Sequence, residues 1–252
     1  MTCTNRRYGW RPDVPDQRDL IYRASRLTAP LPSKVDLHAA FPVVYDQGDL
    51  GSCTANALAG AIDFERKKQK LPLLTPSRLF IYYNERALEN SVSSDSGATL
   101  RDGMKTVGAQ GACNESMWPY DVARFAAMPS SLCYAAALQH RTISYRRLAQ
   151  DLKQMKSCLA SGYPFVFGFT VYSSFASDAV AQTGKVPLPR ASESTLGGHA
   201  CVIAGYSDAS QRFLCRNSWG SAWGVNGHFT LPYEYVLNGN LADDFWTIRL
   251  EQ

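Results

Sequence analysis

The chain has 252 residues, with 26 Lys and Arg against 22 Asp and Glu, a net charge of +4, and seven cysteines. That length allows one large domain or two tightly packed halves with ample core. The charge is mild and no basic cluster is interleaved with aromatics, so no nucleic-acid partner is expected; no apolar run approaches the roughly 20 residues that span a bilayer, so no membrane is expected either.

Residues 1–30 mix Pro, Arg and Asp with Tyr8, Trp10, Leu20, Ile21 and Tyr22 in no clear period, and read as an extended N-terminal arm. The start carries positive charge but no apolar core, so it is no Sec signal peptide, and the tandem Arg6-Arg7 lacks that core too. A cytoplasmic protein, or one exported by a non-Sec route, is expected. Residues 31–145 read as a mainly helical lobe. Apolar Ala57, Leu58, Ala61, Ile62 and Phe64 recur at helical spacing and predict a helix from Cys53 to Lys68, with Ser52 as cap and Arg66, Lys67 and Lys68 at its end. Gly48 and Gly51 allow the tight turn that feeds the chain into it. Further helices are predicted over Ser77–Arg86, Thr99–Ala109 and Leu148–Ala160.

Residues 146–252 read as a mainly β lobe, with strands at Phe165–Val171, around His199, around Asn217 and at Phe245–Leu250. A polar turn at Ser207–Gln211 predicts an antiparallel hairpin that opposes His199 with Asn217 and Cys201 with Cys215. In that register the Asn217 amide oxygen can hold the His199 imidazole, and Trp219 can cover the bond from water.

Three segments carry the chemistry: Q-G-D-L-G-S-C at 47–53, G-G-H-A at 197–200 and R-N-S-W-G at 216–220. A thiol attacks a carbonyl only as its thiolate, and an ordinary cysteine near pKa 8.5 is mostly protonated at neutral pH. A helix N-terminus and a nearby imidazole both favour the anion, which singles out Cys53 with His199. Gln47 is placed to aim an amide N–H at an oxyanion, together with the Cys53 backbone N–H.

These segments, with the Trp223-Gly224-Val225-Asn226-Gly227-His228 run after the asparagine, resemble the papain-like cysteine peptidases from about Leu31 onward. The resemblance implies an α+β, two-lobed fold, with a helical left lobe, a β-barrel-like right lobe and the active-site cleft between. It implies a Cys53–His199 thiolate–imidazolium pair, Asn217 orienting His199, Gln47 in the oxyanion hole, and hydrolysis of a protein or peptide substrate through a thioester. Gly97 and Ala98 match the segment whose backbone pairs with substrate. Gly168 and Ala200 match positions lining the pocket for the second residue before the scissile bond; being small, they leave room for a bulky apolar side chain. Gly198 and Trp219 complete the expected substrate-binding set. A Cys–His amidase, deamidase or acyltransferase is the alternative use of the same pair.

The chain departs from the family in Leu50, where plant and lysosomal members usually carry a half-cystine, in Thr54, where they usually have Trp, and in lacking the long helical prosegment. With Cys53 as nucleophile, Cys3, Cys113, Cys133, Cys158, Cys201 and Cys215 remain. Without an export signal these are expected as buried thiols, although a disulfide framework, including a cross-hairpin Cys201–Cys215 bond, stays open. No C-x-x-C or H-x-x-x-H spacing exists, so no metal is expected, and nothing implies a cofactor or an oligomer.

Overall fold

A computed structural model describes residues 6–24, 30–72, 74–140 and 143–250. Helix α1 (Cys53–Lys68) forms over the predicted span, and it is buried on nearly every side, because the small residues Ala55, Ala57, Ala59, Gly60 and Ala61 let other elements approach all round it. Ser52 stands at its N-cap without capping it; the hydroxyl bonds Tyr120 Oη at 2.5 Å instead, and Asn56 Nδ2 donates to it at 3.0 Å. The helix α2 (Arg78–Leu88) is capped by Ser77, which accepts from the Phe80 N–H, and α3 (Leu100–Gln110) by Thr99, which accepts from the Asp102 N–H. With α4 (Ser131–Ala137) they make the helical layer, held by a core of Leu58, Ile62, Leu79, Phe80, Leu100, Met104 and Cys133.

Strands β1 (Lys34–Asp36), β2 (Ile143–Arg147), β3 (Phe165–Tyr172), β4 (Thr195–Ser207), β5 (Arg212–Arg216), β6 (His228–Pro232) and β7 (Ala242–Leu250) form one antiparallel sheet in the order β2-β7-β3-β4-β5-β6, with β1 added to β4. Alternation sorts its side chains between two cores. Val166, Ala200, Val202, Ala204 and Trp246 face the helical layer, whereas Phe165, Phe167, Cys201 and Ile203 face a second core. That second core is closed by α5 (Leu152–Ala160), α6 (Asp178–Thr183) and α7 (Tyr233–Leu237) through Met155, Cys158, Val180 and Tyr235. The short strand Lys34–Asp36 and the short helices after 130, 178 and 233 were beyond what periodicity over so few residues can signal.

The sheet does not close into a barrel, which corrects that part of the expectation. Its terminal strands never meet: the free edge of β2 takes a bridge from Ile21 to Arg147, and that of β6 takes one from Lys185 to Thr230. Each edge strand thus meets other chain at one residue, Arg147 on β2 and Thr230 on β6. The hairpin register is a second correction. Val202 pairs with Arg216 and Ile203 with Cys215, and a bulge between Ile203 and Gly205 shifts the rest, so Cys201 does not oppose Cys215. The six cysteines in the described residues are free and buried; Cys3 lies outside those residues.

Candidate active site

Cys53 is the first residue of α1, fully buried, with the backbone N–H groups of Ala200, Gly9 and Thr54 turned toward its sulfur. Of these, only Thr54 lies in the first turn of α1, where helix geometry leaves N–H groups without intrahelical partners. The preceding turn is pinned by Asp95, which accepts from the Gly51 N–H at 3.0 Å and from Tyr82 Oη at 2.5 Å. Nothing local in the sequence marks Asp95 as a carboxylate that ties α2 to the nucleophile turn.

His199 comes from β4 and is fully buried. Its Nε2 lies 2.8 Å from Asn217 Oδ1, while its Nδ1 has no hydrogen-bond partner. The ring sits among Trp219 at 5.1 Å between centroids, Phe169 at 5.7 Å, and Phe175 and Tyr8 at 6.2 Å. Asn217 Oδ1 also accepts from the Ser218 N–H at 2.8 Å and from the Cys201 thiol at 3.6 Å, so one oxygen organises three groups. Trp219 is buried and packs on the imidazole at a 31° tilt.

Gln47 is fixed from both ends. Its backbone N–H donates to Ser218 O at 2.9 Å and its Oε1 accepts from Ser218 Oγ at 2.6 Å. That bond decides which way the amide faces: Nε2 donates to Leu50 O at 2.9 Å and, with its second hydrogen, to Arg7 O at 3.2 Å. Ser218 was not singled out from sequence, although it lies between Asn217 and Trp219.

Of the remaining candidates, Gly97, Ala98, Gly168, Gly198 and Trp219 adjoin one segment, Tyr8–Arg11 of the arm. Ala98 N–H donates to Gly9 O at 2.8 Å and Ala98 O accepts from the Arg11 N–H at 3.1 Å, making a parallel bridge at Trp10. Gly198 O accepts from the Trp10 N–H at 2.9 Å. At Gly168 a methyl group would lie 1.9 Å from the Trp10 indole, and at Gly97, whose φ is 68°, it would lie 2.0 Å from Gly9 O. Only glycine leaves room at these two positions. Ala200 is buried with its N–H toward Cys53. Further along, Asp13 is buried and accepts from the Arg101 N–H and from Trp246 Nε1, each at 3.0 Å.

With the arm in place, burial pushes the Cys53 thiol up to about 11 and the His199 imidazole down to about 4. The Asn217 bond opposes the second shift and Arg6 adds to it. Burial thus disfavours both charged forms in this arrangement. The physical reason is loss of water, which is what stabilises both charges.

The chain belongs to the papain family of cysteine proteases: the family description "Papain family cysteine protease" matches residues 31–243. It is thus a cysteine peptidase, a hydrolase. The chain is similar to xylellain, a cysteine protease from Xylella fastidiosa, at 45% identity and a TM-score of 0.93, over 98% of this chain and 97% of that one. An uncharacterized peptidase C1-like protein of Acanthamoeba polyphaga mimivirus is 41% identical over 97% of this chain and 87% of its own length. Digestive procathepsin L 3 of Tenebrio molitor larval midgut, at 18% identity and a TM-score of 0.72, covers 98% of this chain and 76% of its own, and shares the fold.

Proposed function

We propose that the chain hydrolyses peptide bonds with Cys53 as nucleophile, His199 as base and then acid, Asn217 as the group that orients His199, and Gln47 with the Cys53 N–H as oxyanion hole. The reading rests on the 2.8 Å bond from His199 Nε2 to Asn217, which leaves Nδ1 as the nitrogen for proton traffic. In the first step the Cys53 sulfur bonds to the carbonyl carbon, the thiol proton passes to His199, and the carbonyl electron pair moves to oxygen. Gln47 Nε2, preset by Ser218, and the first N–H of α1 meet that oxygen. Collapse expels the amine, which takes the proton from His199 and leaves a thioester. Water, deprotonated by His199, then attacks the thioester and releases the acid and the thiol.

The same proposal assigns the arm the role of holding the cleft closed. Arg7 O takes the Gln47 hydrogen that an oxyanion needs, and Gly9 to Arg11 take the main-chain bonds of Ala98 and Gly198 that a substrate would use. A chain beginning at Leu31 is expected to cleave small peptides faster than the full-length chain, and added 1–30 peptide is expected to slow it. Equal rates together with an unchanged melting temperature would leave the arm neither an inhibitory nor a structural role.

A further inference from the structure

We propose that Asp95 is a positioning residue for the oxyanion hole: it holds the N–H side of the Leu50–Gly51 peptide, whose carbonyl sets the direction of the Gln47 amide. The proposal deepens the peptidase reading above and rests on it. The Gln47 side chain has two fixed points. Ser218 Oγ donates to its Oε1 at 2.6 Å, and its Nε2 donates to Leu50 O at 2.9 Å. The first alone leaves the amide free to swivel about that bond. The second takes one Nε2 hydrogen and so aims the other, which meets Arg7 O at 3.2 Å while the arm is docked and an oxyanion once the arm has left.

Leu50 O and the Gly51 N–H belong to one planar peptide, so whatever holds the N–H also holds the carbonyl. Asp95 does this: Gly51 N lies 3.0 Å from its Oδ1 and 3.1 Å from its Oδ2. The cysteines among the described residues are free, so no disulfide between them braces this turn. Glycine has the widest choice of backbone angles, and without an anchor the peptide plane beside Gly51 can rotate.

The carboxylate is itself held in place. Tyr82, buried on α2, donates through its hydroxyl to Oδ1 at 2.5 Å, and that hydroxyl accepts from the Gly97 N–H at 3.1 Å. Burial and the neighbouring carboxylate raise the phenol, so it stays the donor. Arg86 lies 4.1 Å from the centre of the Tyr82 ring and donates to Val92 O at 2.8 Å and Ser94 O at 3.0 Å, which ties the loop carrying Asp95 to α2. The bonds thus run from α2 through Tyr82 and Asp95 to the peptide at Gly51, and from there to Gln47. Asp95 takes one further donor, Arg7 Nη1 of the arm, at 3.0 Å. The Arg7 side chain is mostly exposed, so removing it acts on the arm and leaves the turn anchored.

The test is a double-mutant cycle in the full-length chain carrying Arg7→Ala and Trp10→Ala, which loosen the arm equally in every variant. Hydrolysis of a short peptide amide is followed with Asp95→Ala, with Gln47→Ala and with both. With Gln47 present, Asp95→Ala is expected to lower kcat by about tenfold or more, the scale of one lost charge-assisted hydrogen bond. In Gln47→Ala protein it should have no further effect. Asp95→Asn keeps an acceptor for the Gly51 N–H and should recover most of the rate. Equal fold losses in both backgrounds overturn the proposal, because a general loss of structure does not depend on Gln47; an unchanged kcat overturns it too. Should Asp95→Ala fail to fold, Tyr82→Phe, which removes only the hydroxyl, enters the same cycle with a smaller loss expected and the same dependence on Gln47.

A second measurement needs no turnover. Cys53 adds to a dipeptide aldehyde, its sulfur bonding the carbonyl carbon and its proton passing to the oxygen. The Kd of that adduct should weaken with Asp95→Ala only when Gln47 is present. Alkylation of Cys53 by iodoacetamide displaces iodide from a saturated carbon and needs no oxyanion hole, so its rate should hold. An alkylation rate that falls in step with aldehyde affinity would place the effect of Asp95 on the nucleophile and overturn the proposal. The expected aldehyde pattern without hydrolysis of any peptide would refute the peptidase reading alone.

Discussion

His199 Nε2 meets Asn217 Oδ1 at 2.8 Å although the two residues are not partners in the β4–β5 ladder. The ladder ends at Val202–Arg216, and Asn217 then turns away to bond Gly227 O through its own N–H at 3.0 Å. The amide thus reaches the imidazole from a strand end, and its Oδ1 is shared with Ser218 and Cys201. Replacing Asn217 by Ala therefore does two things. It frees the imidazole, which should slow turnover less than Cys53→Ala, and it leaves buried donors unpaired at about 1–3 kcal/mol each, so the melting temperature should fall as well. A rate loss equal to that of Cys53→Ala would mean that Asn217 does more than orient.

Cys53→Ala is expected to abolish hydrolysis with the fold retained, since one sulfur is all that is removed from the start of α1. His199→Ala should be nearly as damaging, because base and thiolate stabiliser vanish together. Product analysis by mass spectrometry of a digested protein mixture checks both; residual cleavage by purified Cys53→Ala protein would sink the scheme.

Gln47→Ala removes one oxyanion donor, which is worth about 10²–10³ in kcat. The expected effect is on kcat, measured on a short peptide amide with the arm removed so that loss of the Arg7 contact does not mask it. An unchanged kcat would place Gln47 outside the oxyanion hole.

Burial pushes Cys53 up to about 11 and His199 down to about 4, which disfavours both charges, and the arm packs against both groups through Gly9 and Tyr8. Alkylation of Cys53 in the full-length chain should accordingly rise only at alkaline pH. After the arm is removed, water re-enters, and a reactive plateau at mildly acid to neutral pH should appear as the ion pair forms. The same alkylation profile for both forms would mean the arm does not control the charge state.

Asp13 and Asp244 face one another where the arm meets β7, with Arg101, Arg147, Asp19 and Asp243 around them. Burial raises both carboxyls, and their mutual repulsion raises Asp244 further, to about 7. A carboxyl whose folded pKa is raised favours the docked state below its ordinary pKa and loses that contribution as pH rises through the folded value. Thermal stability should therefore fall between about pH 4 and pH 7, and Asp244→Asn should flatten that fall. Asp13→Ala, which strands the Arg101 N–H and Trp246 Nε1, should loosen the arm and speed Cys53 alkylation. Asp16→Ala, which breaks only the exposed pair with Arg18, should leave alkylation unchanged.

Local features were legible because local physics decides them. The span of α1 followed from apolar spacing and basic residues at its end, whereas the expected Ser52 cap is not made and the capping by Ser77 and Thr99 was seen only in the structure. The order of Cys53, His199 and Asn217 in their distinctive segments was likewise enough to name the family and, by resemblance, the candidate site. What the sequence could not decide were the relations between distant segments: the one-bulge register of β4 against β5, the sheet that stays open, and the seat of Trp10 against Gly168 and Asp244. Each depends on which of several similar contacts wins once loops close and water is excluded, and those energies belong to no single stretch of chain. The shifts of Cys53 and His199 are of the same kind, since they come from burial, and burial depends on how distant segments close over the two groups.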